Sequence, residues 1–520
     1  MPGSPEAGVA CPRRSTWLLA PRPWSADGAA ARWRAGFTVA LLLLAALLRA
    51  GRALARWEEV SIAYSAYQAP LVQALEEPGR LLGTWVGLHP PLYGLCYALL
   101  ERTAPRPILF LGFSALCSWL AVLAAWRAAH LLGGERAGLV ALALASTAPV
   151  ALHYAAEVND YPLLQALLAG LLWAWARYRT GLSGWMPVSL LGIAAGWTHV
   201  LGGLAAGIVA VGVLARHRGD GLRCLLVLAL GAAPVVAGAL ALLGEGDTFG
   251  QPPLRLDLSV ADWVRRFSWL CLPALALGLP ALRRVWLPAA LWLGIAGATV
   301  GMILVGVAAP HQFPYWSLLM PAGAVLVGLA SARIRGWWAL ALALAVAQGA
   351  WVVPEEWARL GRIWRDQARP RAVDLALAEA EPGDGLWLLS PALEPDDDKR
   401  AVSPTLWRLR PWRPMPMVAP FPMEYTDYRY GQPRAYGDLT FYTFTDLWPD
   451  RMDAILRHHT EAGHRVFIVV YDYSPAQAFL VRLHRLLRPW ASEERAVGTD
   501  EGLGVDHLLV VSGRAAPGVP

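Results

Sequence analysis

Lysine is almost missing from this chain: Lys399 is the single one, and nearly every other cation is an arginine. The net charge of +6 at pH 7 therefore reflects a compositional habit, shared with the excess of alanine, glycine and proline, that fits a GC-rich bacterial genome and gives no reason to expect nucleic acid as a partner. Charge of either sign is scarce, at 16% of 520 residues against 56% hydrophobic ones, which excludes an ordinary soluble enzyme. The cysteines Cys11, Cys96, Cys117, Cys224 and Cys271 lie in the N-terminal tail or in apolar runs, without metal-ligand spacing, so neither a disulfide framework nor a zinc site is indicated. No glycine-rich phosphate loop or other nucleotide fingerprint occurs, and the acidic run Asp396 to Arg400 reads as a solvated loop with no metal. No small-residue cleavage pattern follows the arginines that precede the first apolar run, so a cytoplasmic tail over residues 1–35 and a retained first helix are expected.

Long apolar runs are what the chain has instead. They recur at membrane-spanning length from residue 36 to residue 352, and residues 354–520 then turn charged, proline-rich and aromatic with short β-type runs. The expected fold class is a polytopic α-helical membrane protein of about eleven to thirteen helices with a C-terminal soluble α/β domain. The expected domains are a transmembrane part over 36–353, with a first outer loop over 56–93, and a soluble part over 354–520. With the tail inside, the turns at Arg177 and Arg179, Arg216 and Arg218, Arg283 and Arg284, and Arg333 and Arg335 all fall on the cytoplasmic side, and Glu58, Glu59, Glu157, Asp160, His199, His311 and Gln312 fall outside. The piece from Pro90 to Leu100 is half a spanning length and is expected not to cross. In the soluble part, runs at Leu386–Leu389, Val466–Tyr471 and His507–Val511 predict strands, Pro449–Ala462 and Ala476–Leu487 predict helices, and Met415 to Tyr442 reads as an exposed aromatic loop.

Four polar clusters interrupt the apolar runs on the face expected to be outer. The first is the pair Glu58 and Glu59, placed just past a membrane helix, where one carboxylate can accept a proton from a hydroxyl while the other orients it. The second is LHPPLYGL, with His89 and Tyr93 flanking a proline pair. The third is HYAAEVNDYPLL, with Glu157, Asn159, Asp160 and Tyr161, and the fourth is WTHVLGG, with His199. Each has a bland reading: acids mark the membrane–water boundary, and a histidine in an apolar helix end serves helix–helix hydrogen bonding. Ionisable groups at membrane depth are nonetheless costly, and several on one face point to function. Arg265 and Arg266 stand on the outer side against the charge rule and suit a phosphate or lipid head groups, with Arg56 as a further candidate; His311, Gln312 and Tyr315 in PHQFPYW suit a lining role.

The order of acidic pair, HPPLY turn, basic turn, Glu157-to-Tyr161 segment, Thr-His and late aromatic-proline helix resembles the dolichyl-phosphate-mannose protein mannosyltransferases and the bacterial aminoarabinose transferase, over roughly residues 36–335. The resemblance implies a GT-C fold and an inverting glycosyltransferase that moves a sugar from a polyprenyl-phosphate-linked donor to a lipid, glycan or protein acceptor, in the bacterial inner membrane, with site and C-terminal domain facing the periplasm. It implies Glu58 as catalytic base with Glu59 beside it; no cofactor is expected, and the sequence does not decide whether a divalent cation is required. The chain departs from the family's Asp-Glu by having Glu-Glu, and from its Glu-x-Arg-x-Tyr by carrying Asn159 at the arginine position. A polymerase or ligase of lipid-linked glycans, or a non-catalytic transporter or assembly factor, are the alternatives. A transporter is expected to show repeat symmetry or matched broken helices.

Overall fold

The computed structural model describes residues 28–55, 92–103, 107–156, 159–244, 286–304, 313–333, 336–367, 372–389, 434–436, 438–444, 449–470, 476–497 and 506–514. Its membrane part begins with α1 (Gly28–Ala55), α2 (Leu92–Thr103) and α3 (Pro107–Thr147). α3 is two helical legs joined at Gly134, whose φ of 82° and ψ of −173° suit a residue without a Cβ. The second leg doubles back, so that a Cβ at Gly138 would lie 3.0 Å from that of His130. There follow α4 (Pro149–His153), α5 (Tyr161–Arg179), α6 (Met186–Gly196), α7 (Val200–Leu214), α8 (Arg218–Gly244), α9 (Trp286–Leu304), α10 (Phe313–Ser317), α11 (Leu319–Arg333) and α12 (Trp337–Gln367). These bounds lie within a few residues of most of the runs read from sequence, and α2, at 12 residues, has the shortness expected of the Pro90 piece.

Among the described residues, five helical stretches are long and apolar enough to cross a membrane, Arg32–Leu54, Ile108–Thr147, Arg218–Ala237, Tyr315–Arg333 and Trp337–Ala358, and the shorter Met186–Gly196, Val200–Leu214 and Trp286–Met302 are apolar as well. The chain is a multi-pass membrane protein. α11 sits at the centre, buried from Leu319 to Ser331 against both legs of α3 and against α5, α9 and α12. Small residues let these backbones approach closely. At the rim, Leu222, Leu226 and Leu230 of α8 are largely exposed at four-residue spacing, as a lipid-facing stripe requires.

The two ends of the bundle differ in charge. One carries the Gly134 turn, the Arg34–Glu135 ion pair at 2.9 Å, Arg136 over the ring of Trp338, Arg179 over Trp175 and the Tyr178 hydroxyl donating to Asp220. The other carries the end of α1, the starts of α5 and α7, and α10. Across it, α5 alone measures about 27 Å at 1.5 Å per residue, close to the hydrocarbon thickness.

The C-terminal part is α/β as expected. Its six-stranded sheet has the order β2-β3-β1-β4-β6-β5, from β1 (Gly385–Leu389), β2 (Arg434–Tyr436), β3 (Leu439–Phe444), β4 (Val466–Val470), β5 (Trp490–Val497) and β6 (Asp506–Arg514). β1 runs parallel to β3 and β4, and the remaining pairs are antiparallel. α13 (Ala372–Glu379), α14 (Pro449–Glu461) and α15 (Ala476–Leu487) accompany it, with a core of Trp387, Ile455, Ile468, Leu483 and Val511 among others. The aromatic stretch ends differently from the expectation. Leu439 to Tyr442 are strand, and Tyr442 is fully buried opposite Trp387, because alternating aromatics next to a hydrophobic parallel strand gain more from core packing than from solvent. Its residues 415–433, like the acidic run at 396–400, lie outside the described residues.

His459 of α14 closes this core. Its Nδ1–H donates to the Gly383 carbonyl at 3.0 Å, which leaves Nε2 to accept from the Tyr442 hydroxyl at 2.9 Å. Burial holds the imidazole at a pKa of about 4, because the charged ring loses its hydration there; the bond to the Gly383 carbonyl and Asp384 pull the other way, and His458 and His464 add to the lowering. A base whose pKa is lowered on folding contributes stability above its unfolded value near 6.5 and loses it as pH falls toward 4. Hydrogen exchange across Val466–Val470 in the full-length protein, corrected for intrinsic rates, is therefore expected to lose protection between pH 6.5 and 4 by up to roughly 3 kcal/mol. His459→Gln should flatten that dependence; an equally steep fall in the variant would assign it to other groups.

Candidate active site

The site end of the bundle is built on a broken helix. α3 ends at Thr147, and Pro149 follows after the extended residue Ala148. A helix leaves its last four carbonyls without intrahelical donors, and here the donor that Ala145 would otherwise meet, the amide of residue 149, belongs to a proline. Side chains from two other helices supply what is missing. Arg49 of α1 donates through Nη2 to the Ala145 carbonyl at 3.2 Å and through Nη1 to that of Ser146 at 3.2 Å, while its Nε donates to Ser118 Oγ at 2.9 Å. Gln348 of α12 donates to the Thr147 carbonyl at 3.2 Å. A guanidinium also suits the negative end of the helix dipole.

Beyond the break, the short α4 and a turn bring in Asn159, Asp160 and Tyr161. The Asn159 side-chain oxygen accepts from the Tyr161 amide at 3.2 Å, and Pro162 starts α5 at a position where an N–H is not needed. His199 caps α7 from an extended conformation, its Nδ1 accepting from the Leu201 amide at 3.1 Å, so the neutral ring carries its proton on Nε2. The α6–α7 turn is tight enough that a Cβ at Gly202 would fall 2.1 Å from the Ala195 carbonyl oxygen, which explains a glycine three residues past the histidine.

Three of the side chains singled out from sequence meet here. Tyr161, His199 and Tyr315 form a triangle of rings with centroids 6.0 Å, 5.5 Å and 5.8 Å apart, the Tyr315 contacts both edge-on. One turn along α5, Gln165 donates to Ser317 Oγ at 2.7 Å and joins α5 to α10 beneath the triangle. Tyr93 sits in a neighbouring apolar cluster with Ala53 of α1, Phe110 and Leu111 of α3 and Ala156. The Leu92 amide beside it donates to the Trp197 carbonyl at 3.0 Å, so the HPPLY and WTH elements are in direct contact. Asp160 is buried at the start of α5. Glu58, Glu59, His89, Glu157, Arg265, Arg266, His311 and Gln312 lie outside the described residues, as does Arg56. In sequence, Glu58 follows the last described residue of α1, Ala55, by three positions. Among the described residues no three His, Cys, Asp or Glu side chains gather in a metal-binding arrangement.

Sequence reasoning missed the buried charges. Arg49 and Arg52 are each 1% exposed, and Arg52 forms an ion pair with Glu356 of α12, itself 8% exposed. The signal was available: two arginines three apart within an apolar run belong to one helix face, and a buried face needs an acid or a set of carbonyls opposite. α12 reaches Glu356 by continuing through Pro354, past the position 353 at which the membrane domain was expected to end.

No protein-family model matches the chain, and no curated protein matches it. Solved structures do. The structure of ArnT from Cupriavidus metallidurans in the apo state matches with a TM-score of 0.56 and 12% identity, covering 93% of this chain and 98% of that one. ArnT from the same organism bound to undecaprenyl phosphate matches with a TM-score of 0.55 at the same identity and coverage. At 12% identity the likeness establishes the fold, a polytopic GT-C arrangement followed by a C-terminal α/β part, as expected from the sequence.

Removing one partner of a buried ion pair leaves a desolvated charge, at a cost of about 3–5 kcal/mol, whereas removing both leaves only a packing defect. Glu356→Leu and Arg52→Met are each expected to lower the thermal midpoint of the detergent-solubilised protein. The double variant should lose clearly less than the sum of the two; strict additivity would show that the pair is not coupled.

Proposed function

We propose that this protein is a membrane glycosyltransferase that takes a sugar from a polyprenyl-phosphate-linked donor and transfers it to an acceptor hydroxyl on the outer face of the bacterial inner membrane. The observation that carries this reading is the convergence of Tyr161, His199 and Tyr315, from three separate helices, at the end of the bundle opposite the arginine-rich turns, in a fold shared with an ArnT that binds undecaprenyl phosphate. The positive-inside rule puts the arginine-rich end in the cytoplasm and the aromatic end, with the C-terminal domain, outside.

In this reaction Glu58 is the base. It removes the proton of the acceptor hydroxyl as that oxygen attacks the anomeric carbon; the bond from that carbon to the phosphate oxygen breaks, and the polyprenyl phosphate departs with inversion. Glu59 orients Glu58 or the acceptor. Tyr93, His89, Glu157, Asp160, Tyr161, His199, His311, Gln312 and Tyr315 bind the donor and acceptor, and Arg265 and Arg266, with Arg56, neutralise the phosphate. The polyprenyl tail lies among the helices. Positioning and charge stabilisation supply most of the rate.

The test is sugar transfer by purified protein from a panel of synthetic polyprenyl phosphosugars, with a membrane extract as acceptor source. Wild type is expected to turn over at least one donor, and Glu58→Gln to reduce that by about 10²–10⁴-fold at unchanged protein level, the usual contribution of a general base. Full activity in Glu58→Gln would remove it as the base. No turnover across the panel, with lipid binding intact, would favour ligation of whole lipid-linked glycans or a non-catalytic role.

A further inference from the structure

Arg49 has no place in the reaction just described, yet it is among the largest fully buried side chains of the protein and stands in the helix that leads toward Glu58. Its guanidinium joins α1 to both legs of α3, through Ser118 on the first and through Ala145 and Ser146 at the end of the second. Those carbonyls mark the point where α3 stops and the segment that carries Asn159, Asp160 and Tyr161 begins. A continuous helix through residue 149 would carry that segment along the axis of α3 instead of turning it toward α7 and α10. The break, the cap and the aromatic triangle thus form one mechanical sequence.

We infer that Arg49 is a positioning residue for the site: by capping the end of α3 across the Pro149 break, it fixes the segment from α4 to Tyr161 in the place where Tyr161 meets His199 and Tyr315. The inference rests on the proposed glycosyltransferase function for its kinetic consequence and on geometry for its structural one. Ser118 holds the guanidinium by accepting from its Nε, and Gln348 reaches the Thr147 carbonyl alone among those released. Lysine is a poor substitute, because one ammonium cannot reproduce the planar fork that spans two carbonyls and a hydroxyl.

The experiment compares Arg49→Met with Arg49→Met/Pro149→Ala in the full-length protein. Alanine at 149 returns an amide donor to the Ala145 carbonyl, so the double variant is expected to recover much of the thermal midpoint lost in Arg49→Met. Turnover at saturating donor should stay depressed in both, by about 100-fold, the scale of a 1 Å misplacement, with KM for the donor changed less than threefold. Recovery of turnover together with the midpoint would overturn the inference and leave Arg49 as a stabilising residue alone, as would full turnover in Arg49→Met. Should Arg49→Met not fold, Arg49→Lys serves, with a near-normal midpoint and turnover lowered about tenfold expected; wild-type turnover in it would count against positioning. Hydrogen exchange over Val150–Leu164 reads the same question without catalysis: faster exchange in Arg49→Met supports the inference, and unchanged exchange overturns it. If wild type transfers no sugar, the functional reading fails while this measurement still decides the role of Arg49.

Discussion

A backbone carbonyl that meets no donor inside a membrane has no water to turn to, and the break at Thr147–Pro149 creates several of them at once. The answer in this protein is an arginine from α1 and a glutamine from α12, reaching the carbonyls of Ala145, Ser146 and Thr147. Three helices far apart in sequence are therefore tied at one point, and the tie has a direction. It ends α3 and releases the chain to form α4 and the Asn159 turn. Proline at this position would be a defect in a helix built for spanning alone. With the cap in place it becomes the corner that lets a polar segment stand where an apolar helix would otherwise continue.

The charge distribution follows the same logic at larger scale. At the Gly134 end, arginines lie over tryptophan faces or pair with acids near the expected membrane surface, where partial solvation keeps them inexpensive. At the other end the aromatic triangle contains no fixed charge, and the two fully buried arginines are occupied by carbonyls and by Glu356. α5 and α7 both begin there, which turns the positive ends of two helix dipoles toward it. The triangle is thus neutral in its own side chains but stands in a polar field, with the buried Asp160 next to Tyr161 at the start of α5.

Much of this was legible in the amino-acid order. Helices written as uniform apolar runs, such as Tyr161–Arg179 and Val200–Leu214, were found close to their bounds because length and hydropathy decide them. The grouping of Tyr161, His199 and Tyr315 followed from assigning alternate loops to one side. Two features were not legible. The core position of Tyr442 depends on which strand lies beside β3, a pairing that no local pattern encodes. The role of Arg49 depends on Pro149, a hundred residues away, and on the particular carbonyl that the proline leaves without a donor. That Arg49 and Arg52 share one helix face is readable from their spacing, but the carbonyls and the acid that meet them are visible only in three dimensions.

This arrangement constrains where a phosphate can find its counter-charge. A polyprenyl phosphate carries an anion that must be held close to the membrane surface, and neutral tyrosine and histidine donors can orient it without neutralising it. Arg49 cannot be diverted to it without returning the Ala145 and Ser146 carbonyls to hydrocarbon, and Arg52 cannot without stranding Glu356. Asn159 stands where the resembling family has an arginine, and it is already engaged in the turn before Tyr161. Under the proposed function the charge comes from arginines outside the buried set, and the sequence offers Arg56, next after Ala55, together with Arg265 and Arg266, which stand against the charge rule in the expected topology. Under the proposed function, the misplacement of that arginine pair and the occupancy of the buried pair have one cause: the arginines that shape the site are different from those that serve it.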